Sequence, residues 1–282
     1  PLTHLGGASF LGTLPRTHCG ATPEYYFSVV GDAGVTLAPA GAPGDLYTAG
    51  MVSGTTVFED DLATNPGWST EGQWAWGQPT GGGGAHGGPD PTSGHSGPYV
   101  YGYNLYGDYA NNLTLRSLTT HPVDCSRLTR AELRFWRWLG VEAFDEASVW
   151  VSNDGTTWTK AWTNLTEGIA IADMTWSQMV LDIADVADGQ PAVRIRWGMG
   201  PTDASTTYPG WNTDDVEIWA VQAPALGDFD ADGDIDLVDF ASMPACLTGP
   251  DTGPALAGCE AFDFDGDTDV DVADFAVFQE TM

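Results

Sequence analysis

In the middle of the chain, apolar and polar residues alternate in short runs. Ala192 to Trp197 sets Val193, Ile195 and Trp197 against Arg194 and Arg196, the two-residue period of a strand with one buried and one solvated face. Val149-Trp150-Val151 and Trp158 to Trp162 flank Asn153-Asp154-Gly155, residue types that tolerate positive φ and so predict a hairpin. Leu133 to Leu139 carries apolar or aromatic residues on both faces, which predicts a central strand covered on both sides. Val216-Glu217-Ile218-Trp219 closes the series. With turn signals between the runs, residues 56–222 predict an all-β sandwich. Residues 77–97, with four consecutive glycines and several prolines, predict a long loop. Ahead of the sandwich, Ala8 to Leu14 and Glu24 to Val30 predict two or three strands within residues 1–55, too few to bury a core alone. No helical periodicity of useful length precedes residue 236.

The pattern changes after a short linker, residues 223–226, that contains Ala223-Pro224-Ala225. Leu237, Phe240, Ala241 and Met243 recur at helical spacing, and Val272, Phe275, Ala276 and Phe278 repeat the set 35 residues later. Charge marks the same boundary. The chain of 282 residues has 39 acidic and 9 basic side chains, a net charge of −30; 13 Asp, 2 Glu and no Lys or Arg fall after residue 226. Such a surface repels nucleic acid and anionic membranes, which bind through Lys and Arg, and suits divalent cations or neutral ligands such as glycans. No apolar run reaches the 18 or so residues of a membrane-spanning helix.

The acidic residues are spaced for chemistry. Asp228, Asp230, Asp232, Asp234, Asp236 and Asp239 occupy positions 1, 3, 5, 7, 9 and 12 of a loop whose sixth residue is Gly233 and whose eighth is the apolar Ile235. Oxygen ligands at those positions wrap one Ca²⁺, and Gly233 supplies the sharp turn. Without an ion six carboxylates repel one another, so folding and binding are expected to be coupled. The alternative, a solvated acidic linker, has no reason to keep apolar residues at fixed offsets. Asp263, Asp265, Asp267, Asp269, Asp271 and Asp274 repeat the spacing around Val270, with Thr268 in place of the glycine. A β-branched residue is strained at positive φ, which predicts a weaker or reshaped second site. Cys246 and Cys259 lie between the halves, where a disulfide would contribute about 3 kcal/mol by loop entropy.

These duplicated loops, each followed by a helix, resemble a type I dockerin over residues 227–282. The resemblance implies a small EF-hand-like α-helical module, two bound calcium ions held by the Asp residues just named, and a cohesin domain on a scaffold or surface protein as partner. Positions 10 and 11, where cellulosomal dockerins often carry Ser or Thr, are Leu237-Val238 and Val272-Ala273 here, a departure in the partner-contacting positions.

Phe58-Glu59-Asp60-Asp61, Gly107 to Asn112, Phe135-Trp136, Val151 to Gly155, Trp158 and Gly210 to Val216 resemble the MAM-like, immune-inhibitor-A-type jelly rolls that follow catalytic domains in secreted bacterial peptidases. That resemblance implies neighbouring first and last strands. Glu59, Asp60 or Asp61 would then meet Asp214 or Asp215, and Glu59, Asp61 and Asp215 are the ligands expected for a third, structural calcium; the alternative is a cluster of solvated acids at strand ends. Thr13 to Val35, with Cys19-Gly20 and Glu24-Tyr25-Tyr26-Phe27, resembles the last strands of a fibronectin type III-like sandwich.

No catalytic frame stands out. The five histidines are scattered, and HExxH, GxSxG and P-loop patterns are absent. His86 and His95 share the Gly-rich loop without a third ligand in pattern, and Cys19 and Cys125 lie in no recognisable nucleophile frame. Trp74, Trp76, Tyr101 and Tyr103 cluster around the long loop and are either a glycan-stacking platform or simply core. The reading is a secreted, extracellular bacterial accessory region without a catalytic site, the C-terminal part of a hydrolase. For the parent, a zinc peptidase comes first and a glycosidase second. Carbohydrate binding by the jelly roll is the alternative function.

Overall fold

The computed structural model describes residues 2–6, 9–12, 23–31, 34–48, 54–166, 168–222, 226–229, 235–250, 252, 255–256 and 259–281. Among the described residues the N-terminal part holds six short strands: β1 (Leu2–Gly6), β2 (Ser9–Gly12), β3 (Glu24–Tyr25), β4 (Phe27–Gly31), β5 (Gly34–Ala38) and β6 (Tyr47–Thr48). They pair as three separate ribbons, β1–β2, β3–β6 and β4–β5, where the sequence predicts two or three strands. Ala42 is buried, whereas Tyr26, Phe27, Val29, Val35 and Tyr47 are exposed.

From Thr55 to Gln222 the chain forms a two-sheet β-sandwich. Its strands are β7 (Thr55–Asp60), β8 (Ser69–Thr70), β9 (Trp74–Gly77), β10 (Val100–Tyr103), β11 (Arg116–Thr119), β12 (Val123–Cys125), β13 (Leu128–Val141), β14 (Ala147–Ser152), β15 (Thr159–Thr163), β16 (Ile171–Ala172), β17 (Ser177–Asp182), β18 (Gln190–Met199) and β19 (Gly210–Gln222). The seven-stranded sheet runs β16-β13-β19-β10-β9, with β17 also on β13 and β7 also on β19. The six-stranded sheet runs β15-β14-β18-β11-β8, with β12 also on β18. One helical turn, α1 (Ala184–Ala187), precedes β18; four residues are too few to leave a periodic signal in sequence.

Alternation decides what the sheets bury. Leu133, Phe135, Leu139 and Val141 of β13 face Val149, Val151, Val193, Ile195 and Trp197 of the other sheet, all buried. Trp197 is fully buried, its ring parallel to Trp68 at 5.7 Å and edge-on to Phe135 at 5.5 Å. The Trp211 indole N–H bridges the sheets, donating to the Gly198 carbonyl at 3.0 Å. Cys125 is a buried free thiol, and Cys19 lies outside the described residues.

The 78–99 loop lies over the outer face of the seven-stranded sheet. Trp138 donates its indole N–H to the Pro89 carbonyl at 3.0 Å, and Asn212 donates to Asp90 Oδ1 at 2.7 Å. The glycine run is what lets this loop close on itself: Gly84 has φ +80°, and a Cβ there would come within 2.5 Å of the Gly88 backbone.

The last part contains α2 (Leu237–Cys246) and α3 (Val272–Thr281) around a small core of Met243, Cys246, Cys259, Phe262, Val270 and Phe278. Cys246 and Cys259 are joined in a disulfide, Cα atoms 5.5 Å apart. Phe240 and Phe275, equivalent positions of the two halves, meet each other with ring centroids 5.9 Å apart.

Candidate metal centre

The two acidic loops share one backbone-capping scheme. Asp239 accepts the Phe229 N–H at 2.6 Å and the Asp236 N–H at 2.8 Å, while Asp236 accepts Val238 N–H at 2.6 Å. Asp274 accepts Phe264 N–H at 2.6 Å and Asp271 N–H at 2.8 Å, while Asp271 accepts Ala273 N–H at 2.6 Å. Position 12 of each loop thus folds back on position 2 and on the helix N-cap, with the same atoms and nearly the same distances. In the second loop Asp263, Asp265 and Asp267 bring one carboxylate oxygen each within 4.8 Å of the others, and Asp269, Asp271 and Asp274 form a second such group. Burial first, then the charges of Asp267, Asp274 and Asp263, hold the Asp265 carboxyl above its usual range. The donor set is all oxygen, which suits Ca²⁺ and not a soft metal. Thr268 occupies φ +78°, the left-handed conformation that its loop position demands of it, and so carries the strain expected of a β-branched residue there. Of the first loop, Asp228 is buried and Asp230, Asp232 and Asp234 lie outside the described residues.

On the sandwich, β7 and β19 are antiparallel neighbours with Asp60 opposite Val216 and Glu59 opposite Glu217. Glu59, Asp60, Asp61, Asp215 and Glu217 line one open cleft of about 560 Å³. A bulge between the Arg134 and Trp136 pairings of β19 puts Asp215 at φ +45°. Two carboxylates directly opposite each other repel, and here the Glu59–Glu217 pair has Asp60 and Asp61 beside it. Glu59, Asp61 and Asp215 surround the cleft without closing into a three-ligand group as tight as those of the acidic loop. Asp215 instead turns to the 78–99 loop, where its oxygens meet His95 Nδ1 and Ser96 Oγ, each at 2.5 Å. Asp214 is fully buried, accepts the His95 N–H at 2.6 Å, and is pushed up to about 6 by burial. The His95 ring stacks on Trp136 at 3.7 Å. Nothing in sequence joins His95 to Asp215, 120 residues apart.

A third group, Glu142, Asp145 and Asp203, escapes the sequence reading altogether. Asp145 is fully buried, but Tyr109 O–H donates to one of its oxygens at 2.6 Å and Asp203 N–H to the other at 2.7 Å. Both oxygens are therefore spent on bracing loops. Asp90 is different: it is 2 % exposed, its Oδ2 and the Asn212 Oδ1 have no partner among the described residues, and burial pushes it up to about 7. A proton on Oδ2 is the donor that this pair lacks. Because the folded-state pKa is raised, Asp90 favours folding in acid and that contribution fades as pH rises from about 4 through 7. Asp90→Asn, whose amide supplies the donor at every pH, is expected to flatten this part of the pH dependence and to be the more stable chain at pH 8. Melting temperatures of both proteins from pH 5 to 8 check this.

Of the two readings of Trp74, Trp76, Tyr101 and Tyr103, glycan platform or core, the side chains follow the core. Trp74, Tyr101 and Tyr103 are 4 %, 2 % and 2 % exposed, and Trp76 is half-buried with its N–H on the Leu62 carbonyl. Inward positions of β9 and β10 put Trp74, Tyr101 and Tyr103 in the core, with Trp76 packed against it. The outward tryptophans are Trp136, Trp138 and Trp219 on the seven-stranded sheet with Trp176 just before β17, and Trp150 on the six-stranded sheet with Trp158 just before β15, all half-buried.

No family model matches the chain. Bacillopeptidase F of Bacillus subtilis (strain 168) is 29 % identical over 170 residues, 58 % of this chain and 11 % of that protein, so the chain spans about a tenth of its relative's length. Among solved structures, similar chains include the K3 cleaved adhesin domain of Lys-gingipain from Porphyromonas gingivalis (15 % identity, TM-score 0.35, 58 % of this chain and 98 % of that one). The CBM22-1 xylan-binding domain of Paenibacillus barcinonensis Xyn10C is also similar (10 %, TM-score 0.37, 61 % and 97 %). No helix among the described residues is long and apolar enough to cross a membrane.

Proposed function

We propose that this chain is a non-catalytic, extracellular accessory region in which calcium folds a C-terminal tethering module and staples a β-sandwich. The observation that carries the reading is the repeated capping of position 12 onto position 2 and the N-cap, 35 residues apart, in loops that bear acids at the same spacing. The loops would hold two calcium ions through Asp228, Asp230, Asp232, Asp234, Asp236 and Asp239, and through Asp263, Asp265, Asp267, Asp269, Asp271 and Asp274. The cleft of Glu59, Asp61 and Asp215 would hold the third.

The tether would work through apolar surface. Leu237, Val238 and Val272 are 69 %, 57 % and 75 % exposed, and an apolar cleft of about 210 Å³ opens among Phe240, Met243, Pro244, Leu247, Val272 and Phe275. A cohesin-like domain with a complementary apolar face is the partner we assign to it. The partial kinship to a peptidase supports a secreted peptidase as the parent chain. A calorimetric calcium titration of the whole chain is expected to show two sites lost together in Asp239→Ala/Asp274→Ala; a wild-type chain that takes up no calcium overturns the proposal.

A second reading, carbohydrate binding, is favoured by one observation: six outward tryptophans on the two sheet faces of a protein whose core already holds Trp68, Trp74, Trp197 and Trp211.

A further inference from the structure

The outer face of the six-stranded sheet does not share the charge of the molecule. Three of the nine basic residues, Lys160, Arg194 and Arg196, lie on it. Their direction follows from alternation: Val149, Val151, Val193, Ile195 and Trp197 are buried, so Trp150, Arg194 and Arg196 between them point out. Strand register then sets Lys160, Trp150, Arg196 and Thr119 in one row across β15, β14, β18 and β11. At about 4.8 Å between strands the row is about 14 Å long.

Within the row cations and rings are interleaved. The Lys160 ammonium sits 4.5 Å from the centre of the Trp150 ring, and the Arg196 guanidinium 3.6 Å from that of Trp158. Arg196 Nε donates to Thr119 Oγ1 at 3.2 Å, which fixes the fork. Of the other arginines of the sandwich, Arg134 pairs with Glu132 and Glu217 and Arg137 with Asp173, whereas Arg116, Arg127 and Arg130 have no carboxylate within 4 Å among the described residues; the rings beside the row are what set this face apart. Arg194 and Arg196 have no carboxylate within 4 Å among the described residues, in a chain with 39 acids to draw on. The carboxylates around the row are used otherwise. Glu146 takes Lys160, Glu71 accepts from Ser117 and reaches Arg196 only by charge from beyond 4 Å, and Asp154 accepts the N–H groups of Thr156 and Thr157 in its own turn.

Two guanidinium forks without a carboxylate within 4 Å, Arg196 on the Trp158 ring and Arg194 two residues away on the same face, recognise carboxylates on a chain of sugars, since a fork takes a carboxylate through two parallel hydrogen bonds and a ring takes a sugar face. The net charge of −30 narrows the choice. Charges farther than about 8 Å are screened at physiological salt, so a polymer with widely spaced carboxylates feels the row, whereas a densely charged one such as nucleic acid meets the rest of the acidic surface. We propose that this face, along the row and the adjoining Arg194 and Trp158, binds a carboxylated polysaccharide, its uronate groups on Arg194 and Arg196 and its sugar rings along Trp150 and Trp158. The proposal rests on the carbohydrate reading and is independent of the calcium loops.

The test is affinity electrophoresis of the whole chain in native gels containing hyaluronan, neutral xylan or single-stranded DNA. Hyaluronan is expected to retard the wild type, and Arg194→Gln/Arg196→Gln to weaken that retardation about tenfold, the equivalent of about 1.4 kcal/mol. Arg194→Lys/Arg196→Lys, which keeps the charge and loses the fork, is expected to fall between, and unchanged melting temperatures show that both variants fold. Undiminished hyaluronan binding in the double Gln variant overturns the assignment of this face. Retardation by xylan alone overturns the carboxylate and leaves carbohydrate binding standing, whereas retardation by neither polymer removes both. Equal retardation by DNA makes the face a general polyanion patch and overturns the sugar.

Discussion

Replacing Trp197 with alanine is expected to destabilise the sandwich by about 3–5 kcal/mol, the usual range for a buried large aromatic. The ring is 0 % exposed and is held between Trp68 and Phe135, so its loss opens a cavity that two further aromatics line and cannot fill. Trp197→Phe is expected to cost much less than the alanine change. The Trp197 indole N–H is buried without a hydrogen-bond partner among the described residues, and phenylalanine removes that unsatisfied donor along with part of the volume. Urea unfolding followed by tryptophan fluorescence reads both changes. Equal losses for the two variants would mean that volume alone sets the cost.

The second large effect concerns the cleft at the ends of β7 and β19. Calcium at about one hundred times its dissociation constant is expected to stabilise the sandwich by about 2.7 kcal/mol. In a domain of this size that corresponds to a rise in melting temperature of about 5–10 °C. Asp215→Asn is expected to abolish that rise while barely changing the melting temperature in chelator, because the His95 and Ser96 contacts can be kept by an amide. Differential scanning calorimetry with and without calcium separates this transition from that of the C-terminal module. A loss of stability in Asp215→Asn that is the same in chelator and in calcium removes the metal from this cleft.

The β-sandwich was legible wherever one face of a strand meets solvent. Val193, Ile195 and Trp197 against Arg194 and Arg196 announce both the strand and its orientation, because burial and charge alternate with the pleat. Aromatic residues announce much less. Trp74, Tyr101 and Tyr103 carry the same composition signal whether they stack on sugar or fill a core, and only the partner strands decide; here the decision is core. The acidic repeat was legible because its spacing is local, six acids within twelve residues, twice over. Contacts between distant loops leave no such trace. Tyr109 to Asp145 spans 36 residues, Asp203 to Asp145 spans 58, and Asn212 to Asp90 spans 122, each made between single residues with no periodicity to betray them. Glu59 and Asp215 belong to the same class, and only the expectation that first and last strands adjoin brought them together.

That adjacency has a mechanical side. Thr55 of β7 lies opposite Ala220 of β19, so the chain enters and leaves the sandwich at one end of a single strand pair. A pull between the parts before and after it therefore loads the rungs one at a time, as a zipper is opened, and not all together in shear. The rung nearest the pull gives first, and peeling proceeds from Thr55 towards Asp60, opposite Val216. The acidic cleft stands at the far end of that path, where a cation spanning Glu59, Asp61 and Asp215 would act as the stop at the bottom of the zip. A tethered protein in flowing liquid would then resist extension in proportion to the calcium around it.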